Sequence, residues 1–177
     1  MFVVGLLFVT AAAASPMVEV VNAKWGFRTA YPADWTVVQG TAGPIYVSAA
    51  PPAPETFVRC NTTAETIDAT RLIPQTKLNQ ELSQPVGPEF WSTRVFGRFQ
   101  NVTVERHGTR RHPSGIQVQE AVVSYDENVG GEVKRGRTQS TIFVTPGSTF
   151  GISCNAEAPK YAKYKSAFAT IVDSFRP

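Results

Sequence analysis

The spacing of the hydrophobic positions changes character twice along the chain. From Val18 to Cys60, apolar residues alternate with polar ones in short runs that Pro- and Gly-containing turns separate, a pattern typical of half-buried β-strands. Between Ile67 and about Arg98 the apolar residues are spaced more widely and prolines flank two segments, which predicts two short helices. The first half of the chain should therefore contain strands followed by short helices.

The second half predicts four more strands and one closing helix. Period-two alternation recurs between Val102 and Cys154, and turn residues stand at 108–115, 128–131 and 146–147, which we interpret as hairpin turns. After Pro159, apolar residues recur at spacings of three and four, which predicts an amphipathic helix; they are Tyr161, Tyr164, Phe168, Ile171, Val172 and Phe175. This order of elements predicts one α+β domain built on an antiparallel sheet.

Residues 1–14 contain an apolar run followed by four alanines, with no charged residue. The run has the length of a signal-peptide core, it is too short to span a bilayer, and the alanines supply a cleavage pattern. A buried N-terminal strand is the alternative. We expect residues 1–14 to be a signal peptide and residues 15–177 a single mature domain, exported to the periplasm or secreted. No later stretch is apolar enough to predict a membrane helix.

Export also bears on Cys60 and Cys154, the two cysteines of the chain. An oxidising compartment favours a disulfide between them, and this bond would join positions that are 94 apart (154 − 60). Cys154 alternates with the polar residues Ser153 and Asn155, so it falls on the apolar side of its strand, as a structural disulfide requires. Two buried free thiols or one reactive thiol are the alternatives.

Composition and charge exclude several classes of protein. Hydrophobic residues make up 42% of the chain and charged residues 18%, which is typical of a globular domain and not of a disordered one. The 17 Lys and Arg against 14 Asp and Glu give a net charge of +3, too small a balance to indicate nucleic-acid binding. Two Cys and two His are too few for a four-ligand structural zinc site.

Two segments, residues 106–112 and 134–137, carry concentrated positive charge. We interpret both as parts of hairpin turns, and a pair of solvated hairpin tips is the favoured interpretation. If their strands pair as neighbours, the two would converge into a surface for phosphate, a lipid headgroup or an acidic partner. The candidate anion-binding residues are Arg106, Arg110, Arg111, Lys134, Arg135 and Arg137. A metal site at His107 and His112 is a third alternative.

The sequence carries no arrangement typical of an enzyme. It lacks the G-x-S-x-G motif of a serine nucleophile on a sharp strand-to-helix turn. Both histidines lie in a segment expected to be exposed, whereas a catalytic base is held in a shielded site. The neighbouring Asp126 and Glu127 precede Asn128 and a Gly-Gly pair, which favours a solvated turn. We therefore predict no catalytic residue, no metal and no cofactor.

Two stretches near the ends of the chain together resemble the PsbP-like family, whose namesake is the lumenal extrinsic subunit of photosystem II. Residues 25–35, Trp-Gly-Phe-Arg-Thr-Ala-Tyr-Pro-Ala-Asp-Trp, are similar to the family's extended run into a Tyr/Phe-Pro-x-x-Trp corner. Residues 150–156 and the Ile-Val-Asp-Ser-Phe run at 171–175 are similar to its closing strand and the end of its last helix. The resemblance covers roughly Val18 to Arg176.

This resemblance implies an antiparallel β-sheet flanked by helices, an α/β/α sandwich, in a protein that works outside the cytoplasm. It also implies that Pro32 fixes a turn, that Trp35 begins the returning strand and that Phe175 fills the end of the core. By analogy of fold, we expect a non-enzymatic accessory protein that contacts an envelope or lumenal assembly through a protein–protein interface. The second expectation is a module that binds a small anionic ligand or a lipid headgroup through the basic segments.

Overall fold

The structure is a computed structural model that describes residues 15–40 and 44–177, and the predicted signal peptide, residues 1–14, lies outside the described residues. The strands are β1 (Met17–Val21), β2 (Arg28–Pro32), β3 (Thr36–Gln39), β4 (Ile45–Ala50), β5 (Arg59–Thr66), β6 (Gln100–Arg111), β7 (Gln117–Val129), β8 (Glu132–Thr145) and β9 (Ser148–Glu157). The helices are α1 (Gln75–Glu81), a π-helix (Phe90–Val95) and α2 (Tyr161–Ser174), with 3₁₀ turns at Asp68–Thr70 and Ala158–Lys160.

Seven strands form one sheet in the order β3-β4-β5-β9-β8-β7-β6, and β1 pairs with β2 in a separate hairpin. Every pairing is antiparallel. The predicted α+β class with an antiparallel sheet is therefore confirmed. No helix within residues 15–40 and 44–177 is long and apolar enough to cross a membrane.

Helices cover both faces of the sheet. Side chains alternate along each strand, so each strand contributes apolar residues to two separate cores. On the first face, called the α2 face, Val118 of β7 and Phe143 of β8 belong to the same core as Phe168 of α2. On the opposite face, called the α1 face, Val123 of β7 packs in a second core with Trp91 of the π-helix. Helix α1 also contacts β7 and β8. This arrangement confirms the expected helix–sheet–helix layers.

A disulfide joins Cys60 of β5 to Cys154 of β9. The two residues are direct partners across the antiparallel pair, and both are fully buried in the core of the α2 face. The bond therefore ties an early strand to a late one, as the alternation around Cys154 suggested.

The end of the core is filled by Phe175, which directly follows α2 and is fully buried. Its ring centroid lies 4.6 Å from that of Phe143 and 5.5 Å from those of Phe27 and Phe150. Arg176 then pairs with Arg28 of β2 through two main-chain hydrogen bonds. The last residues of the chain thus fasten both α2 and the β1–β2 hairpin to the sheet.

The two basic segments are strands, which corrects the interpretation of both as hairpin turns. Residues 106–111 pair without interruption with residues 122–117 of β7, and the turn is confined to residues 112–116. Residues 134–137 pair with 127–124, and the turn before them rests on Gly130 and Gly131, whose φ angles are 63° and 90°. Pairing with a neighbouring strand stabilises these polar residues in extended conformation, and sequence periodicity does not report pairing of that kind.

His112 is 1% exposed, so the expectation of an exposed histidine is wrong for this residue. Its Nδ1 accepts a hydrogen bond from the backbone N–H of Ser114 at 3.0 Å, and Nε2 therefore carries the proton that it donates to the carbonyl of Val172 at 2.9 Å. The ring also packs edge-on against Phe143. His112 thus joins the β6–β7 turn to the end of α2.

We expect the double variant Cys60→Ala/Cys154→Ala to unfold at a lower temperature than the wild type under oxidising conditions. The chain-entropy model places an upper figure of about 4 to 5 kcal/mol on a loop of this size. Thermal unfolding monitored by circular dichroism, with and without excess reductant, measures the effect. The reduced wild type should approach the variant; an equal gap in both conditions would contradict a stabilising disulfide.

Phe175→Ala should lower the free energy of unfolding by about 3 to 5 kcal/mol, because it opens a cavity between three aromatic rings. Urea denaturation gives the value. Leu72→Ala is the matched control, since Leu72 is 93% exposed and its truncation should change stability by no more than about 0.5 kcal/mol. A Phe175 variant as stable as the control would show that α2 does not depend on this anchor.

Thermal stability should fall as the pH is lowered below about 6.5, the ordinary histidine pKa. Burial lowers the pKa of His112, an effect that the hydrogen bond to Val172 opposes and the Arg110 charge reinforces. The unfolded chain therefore binds a proton in a pH range where the folded protein does not. His112→Gln should flatten the dependence of the melting temperature on pH between about 7.5 and 5.5. An unchanged slope in this variant would assign the dependence to other groups.

Candidate binding surface at the edge strand β6

β6 is an edge of the seven-stranded sheet, and it is twelve residues long. The other edge strand, β3, has four residues. A long edge strand exposes unpaired main-chain donors and acceptors to which another chain can add. The β6 edge is therefore the largest stretch of sheet edge in the described part of the protein.

Alternate residues of β6 direct their main-chain groups away from β7. In an antiparallel pair, residues that exchange hydrogen bonds alternate with residues that do not. The N–H of His112 donates to the carbonyl of Ile116 at 2.8 Å, which sets the phase of this alternation. His107, Thr109 and Arg111 therefore point their N–H and C=O groups outward. Among residues 15–40 and 44–177, no strand pairs with this side of β6, and no turn or loop hydrogen bond reaches these six groups.

The six predicted anion-binding residues form two groups along the sheet. Arg135 lies opposite Asp126 of β7, and Arg110 lies opposite Val118. These two positions of β7 are eight residues apart, which corresponds to about 27 Å along a strand. Lys134 is next to Arg135 in β8. The structure therefore does not bring the ends of the two basic segments together.

Carboxylates neutralise four of the six residues. Arg110 binds Glu120 at 2.9 Å and Asp173 at 2.6 Å, and Arg135 binds Asp126 at 3.0 Å. The other two pairs are Lys134 with Glu157 at 3.2 Å and Arg137 with Glu105 at 2.5 Å. Burial lowers the pKa of Arg110, but its two carboxylates outweigh burial and the pKa is raised overall. This guanidinium is therefore held as a charged link between β6, β7 and α2.

Arg106 and Arg111 differ from the other four residues. Both side chains are exposed, and neither forms an ion pair with any described residue. Side chains alternate along a strand, so Arg106 lies on the α2 face and Arg111 on the α1 face. The uncompensated positive charge of β6 thus flanks its outward main-chain groups on both faces.

Arg106 and Arg137 lie on the same face of the two strands that flank β7, opposite Val122 and Ser124 of that strand. The guanidinium of Arg137 lies 4.7 Å from the centre of the Tyr161 ring at the start of α2. Burial raises the pKa of Tyr161, and the positive charges of Arg137 and Arg106 oppose this rise. The fold therefore places one arginine from each basic segment near Tyr161.

A depression of about 210 Å³ lies beside the edge, lined by Arg106, His107, Gly108, Thr109, Glu120, Ala121 and Gln139. Gly108 leaves open space at its edge, since a Cβ atom at this position would meet no atom within 4 Å. The side chains of Arg106, Glu120 and Gln139 share this face of the sheet, whereas that of His107 lies on the opposite face. The depression therefore combines an open space with the charge of Arg106, which forms no ion pair among the described residues.

The two histidines do not form a metal site. His112 is buried on the α2 face, and His107 belongs to the alternate set of β6 side chains, opposite Ala121. Residues 15–40 and 44–177 contain no group of three or more His, Cys, Asp or Glu side chains suited to a metal ion.

Sequence patterns identified the charge of this surface but not its geometry. Arg106 and Arg111 were among the predicted residues, whereas the outward main-chain groups of His107 and Thr109 leave no mark in the sequence. Gly108 signalled a turn, although it lies inside β6 with open space beside it. Only the strand order reveals that this segment is an edge.

No protein-family profile and no curated protein matches the sequence. Cyanobacterial PsbP (CyanoP) from Synechocystis sp. PCC 6803 is similar in structure, with a TM-score of 0.60, 14% identity and coverage of 97% of both chains. LpqN, involved in cell envelope biogenesis of Mycobacterium tuberculosis, has a TM-score of 0.54 and 14% identity over 92% of this chain and 86% of its own. The Saccharomyces cerevisiae Ran-binding protein Mog1p has a TM-score of 0.54 and 11% identity over 92% of this chain and 95% of its own. The resemblance is thus confirmed in three dimensions, and the chain has the PsbP-like fold.

Proposed function

We propose that this protein is a non-enzymatic, exported accessory protein that acts through protein–protein contact in the envelope or lumen. One observation carries the proposal: the β6 edge presents main-chain groups and two arginines, Arg106 and Arg111, that no contact within the described chain uses. Groups of this kind are available to a second molecule at little cost to the fold. Residues 15–177 are the unit to which we assign this role.

Export is supported by two independent features. A buried disulfide joins Cys60 to Cys154, and such bonds persist in oxidising compartments. Residues 1–14 have the composition of a signal peptide. The similar fold of LpqN, a protein involved in cell envelope biogenesis, agrees with a place in the envelope.

A binding role is supported by analogy with another protein of this fold. Mog1p is a Ran-binding protein, so the architecture is able to serve as a protein-binding scaffold. Fold alone does not transfer a partner, and the argument for this chain therefore rests on its own β6 surface.

The second candidate function is binding of a small anionic ligand or lipid headgroup by the basic residues. It is favoured by the exposed, unpaired Arg106 and by the proximity of Arg137 to the same ring, Tyr161. The ion pairs of Arg137 and Arg110 weigh against it, because carboxylates already offset these charges.

Capture of a partner from the native envelope or lumenal fraction tests the first proposal. The tagged mature protein should retain a protein at both low and moderate salt, and Arg106→Ala/Arg111→Ala should reduce the retained amount roughly fivefold or more, a loss of about 1 kcal/mol. The matched control is Lys24→Ala/Arg28→Ala, which removes the same charge from the β1–β2 hairpin, where Lys24 lies over Tyr46 of β4. Full retention of the partner by the β6 variant would contradict a role for Arg106 and Arg111 in binding it.

Sedimentation with vesicles separates the two candidates. Binding to vesicles that contain an anionic phospholipid, but not to neutral vesicles, would support the second function, and it should weaken steeply as salt screens the charges. Retention of a protein partner at moderate salt with no vesicle binding would support the first.

A further inference from the structure

We propose that residues 106–111 of β6 bind an extended, acidic segment of a partner protein, which adds to the sheet as an eighth strand. This inference rests on the proposed function and specifies its partner and its mode of contact. Strand addition uses main-chain hydrogen bonds for affinity and side-chain pockets for specificity. The β6 edge offers both.

The two halves of β6 differ in regularity. The pairing with β7 is irregular between Gln100 and Thr103 and again between Val104 and Arg106, and it is regular from Arg106 to Arg111. Irregular pairing twists an edge away from incoming strands. The first half is thereby protected, whereas the second half is a straight template of six residues.

This template is complete in its hydrogen-bonding groups. His107, Thr109 and Arg111 direct three N–H donors and three C=O acceptors outward, as the phase set by His112 and Ile116 requires. An incoming strand would pair with all six. The side-chain hydroxyl of Thr109 is already bound to the carbonyls of Leu82 and Val118, so this residue is held in place before a partner arrives.

The charge of the template selects the partner. Arg106 and Arg111 lie on opposite faces without carboxylate partners, so an incoming strand would have positive neighbours on both faces. Opposite charges directly across two strands are stabilising and like charges are destabilising. Two copies of β6 would bring two uncompensated positive edges together, which disfavours a second copy of this chain. An acidic segment from another protein is the complementary occupant.

The depression beside Gly108 adds a place for one side chain of that segment. It is lined by Arg106, Gln139 and Glu120, whose positions share the α2 face of the sheet. An amide that enters this space would meet the Arg106 guanidinium, the Gln139 amide and the Glu120 carboxylate, which Arg110 already neutralises. Gly108 therefore contributes the space, and its neighbours contribute the polar contacts.

A proline substitution tests the main-chain part of the proposal. His107→Pro removes one outward N–H and blocks an incoming strand, yet the N–H is absent from the β6–β7 ladder and proline is tolerated at such edge positions. His107→Ala is the matched control, because it removes the same side chain and keeps the N–H. Circular dichroism of both variants establishes that the sheet is intact.

The probe is a displayed library of random heptapeptides selected on the whole mature protein. We expect the recovered peptides to be rich in Asp and Glu alternating with β-branched residues, and to bind His107→Pro roughly tenfold or more weakly than His107→Ala, a difference of about 1.4 kcal/mol. A selection without acidic peptides, or equal binding to the two variants, would overturn the proposal.

Two further measurements apply even if His107→Pro fails to fold. Saturating peptide should slow the hydrogen exchange of the wild-type amides of His107, Thr109 and Arg111, and leave Val38 of the other edge unchanged. Arg106→Glu/Arg111→Glu should abolish binding of the acidic peptides. Unchanged exchange at β6 would refute strand addition.

The capture experiment distinguishes this inference from the proposed function. A native partner that His107→Pro retains as fully as His107→Ala would uphold protein–protein contact and refute strand addition. A partner lost only with His107→Pro supports both.

Discussion

The pairing of β5 with β9 joins the two halves of the chain into one sheet. Without it, β3, β4 and β5 would form one small sheet and β6 to β9 another, since every other pair within the seven strands links neighbours in sequence. Contacts between residues that are distant in sequence carry a large loop-closure cost. The Cys60–Cys154 bond lies within this pairing and lowers that cost in the oxidised protein.

This central pairing also decides which strands are edges. Because β5 and β9 occupy the interior of the sheet, β3 and β6 become its two ends. β3 is short, and β6 is long and charged. The same interaction that completes the core of the α2 face therefore leaves twelve residues of β6 with one free side.

The ion pairs decide which residues of the basic segments keep an uncompensated charge. Arg110, which binds both Glu120 and Asp173, contributes to the attachment of α2 and has little charge to offer a ligand. Arg106 and Arg111 retain theirs. The basic residues of one segment thus fall into two sets, those that stabilise the fold through ion pairs and those that face outward. Only the outward set supports a binding function.

The sequence by itself determined the parts of this protein that depend on local periodicity. The stripe from Tyr161 to Val172 predicts α2, and the alternation around Cys154 predicts its buried, core-facing position; both rest on repeats that are visible within a few residues. Neighbouring strands decided the rest. Residues 106–111 are a strand because β7 pairs with them, His112 is buried because α2 ends above it, and the β6 edge is free because β5 pairs with β9. These features depend on partners far away along the chain, and local patterns carry no information about such partners.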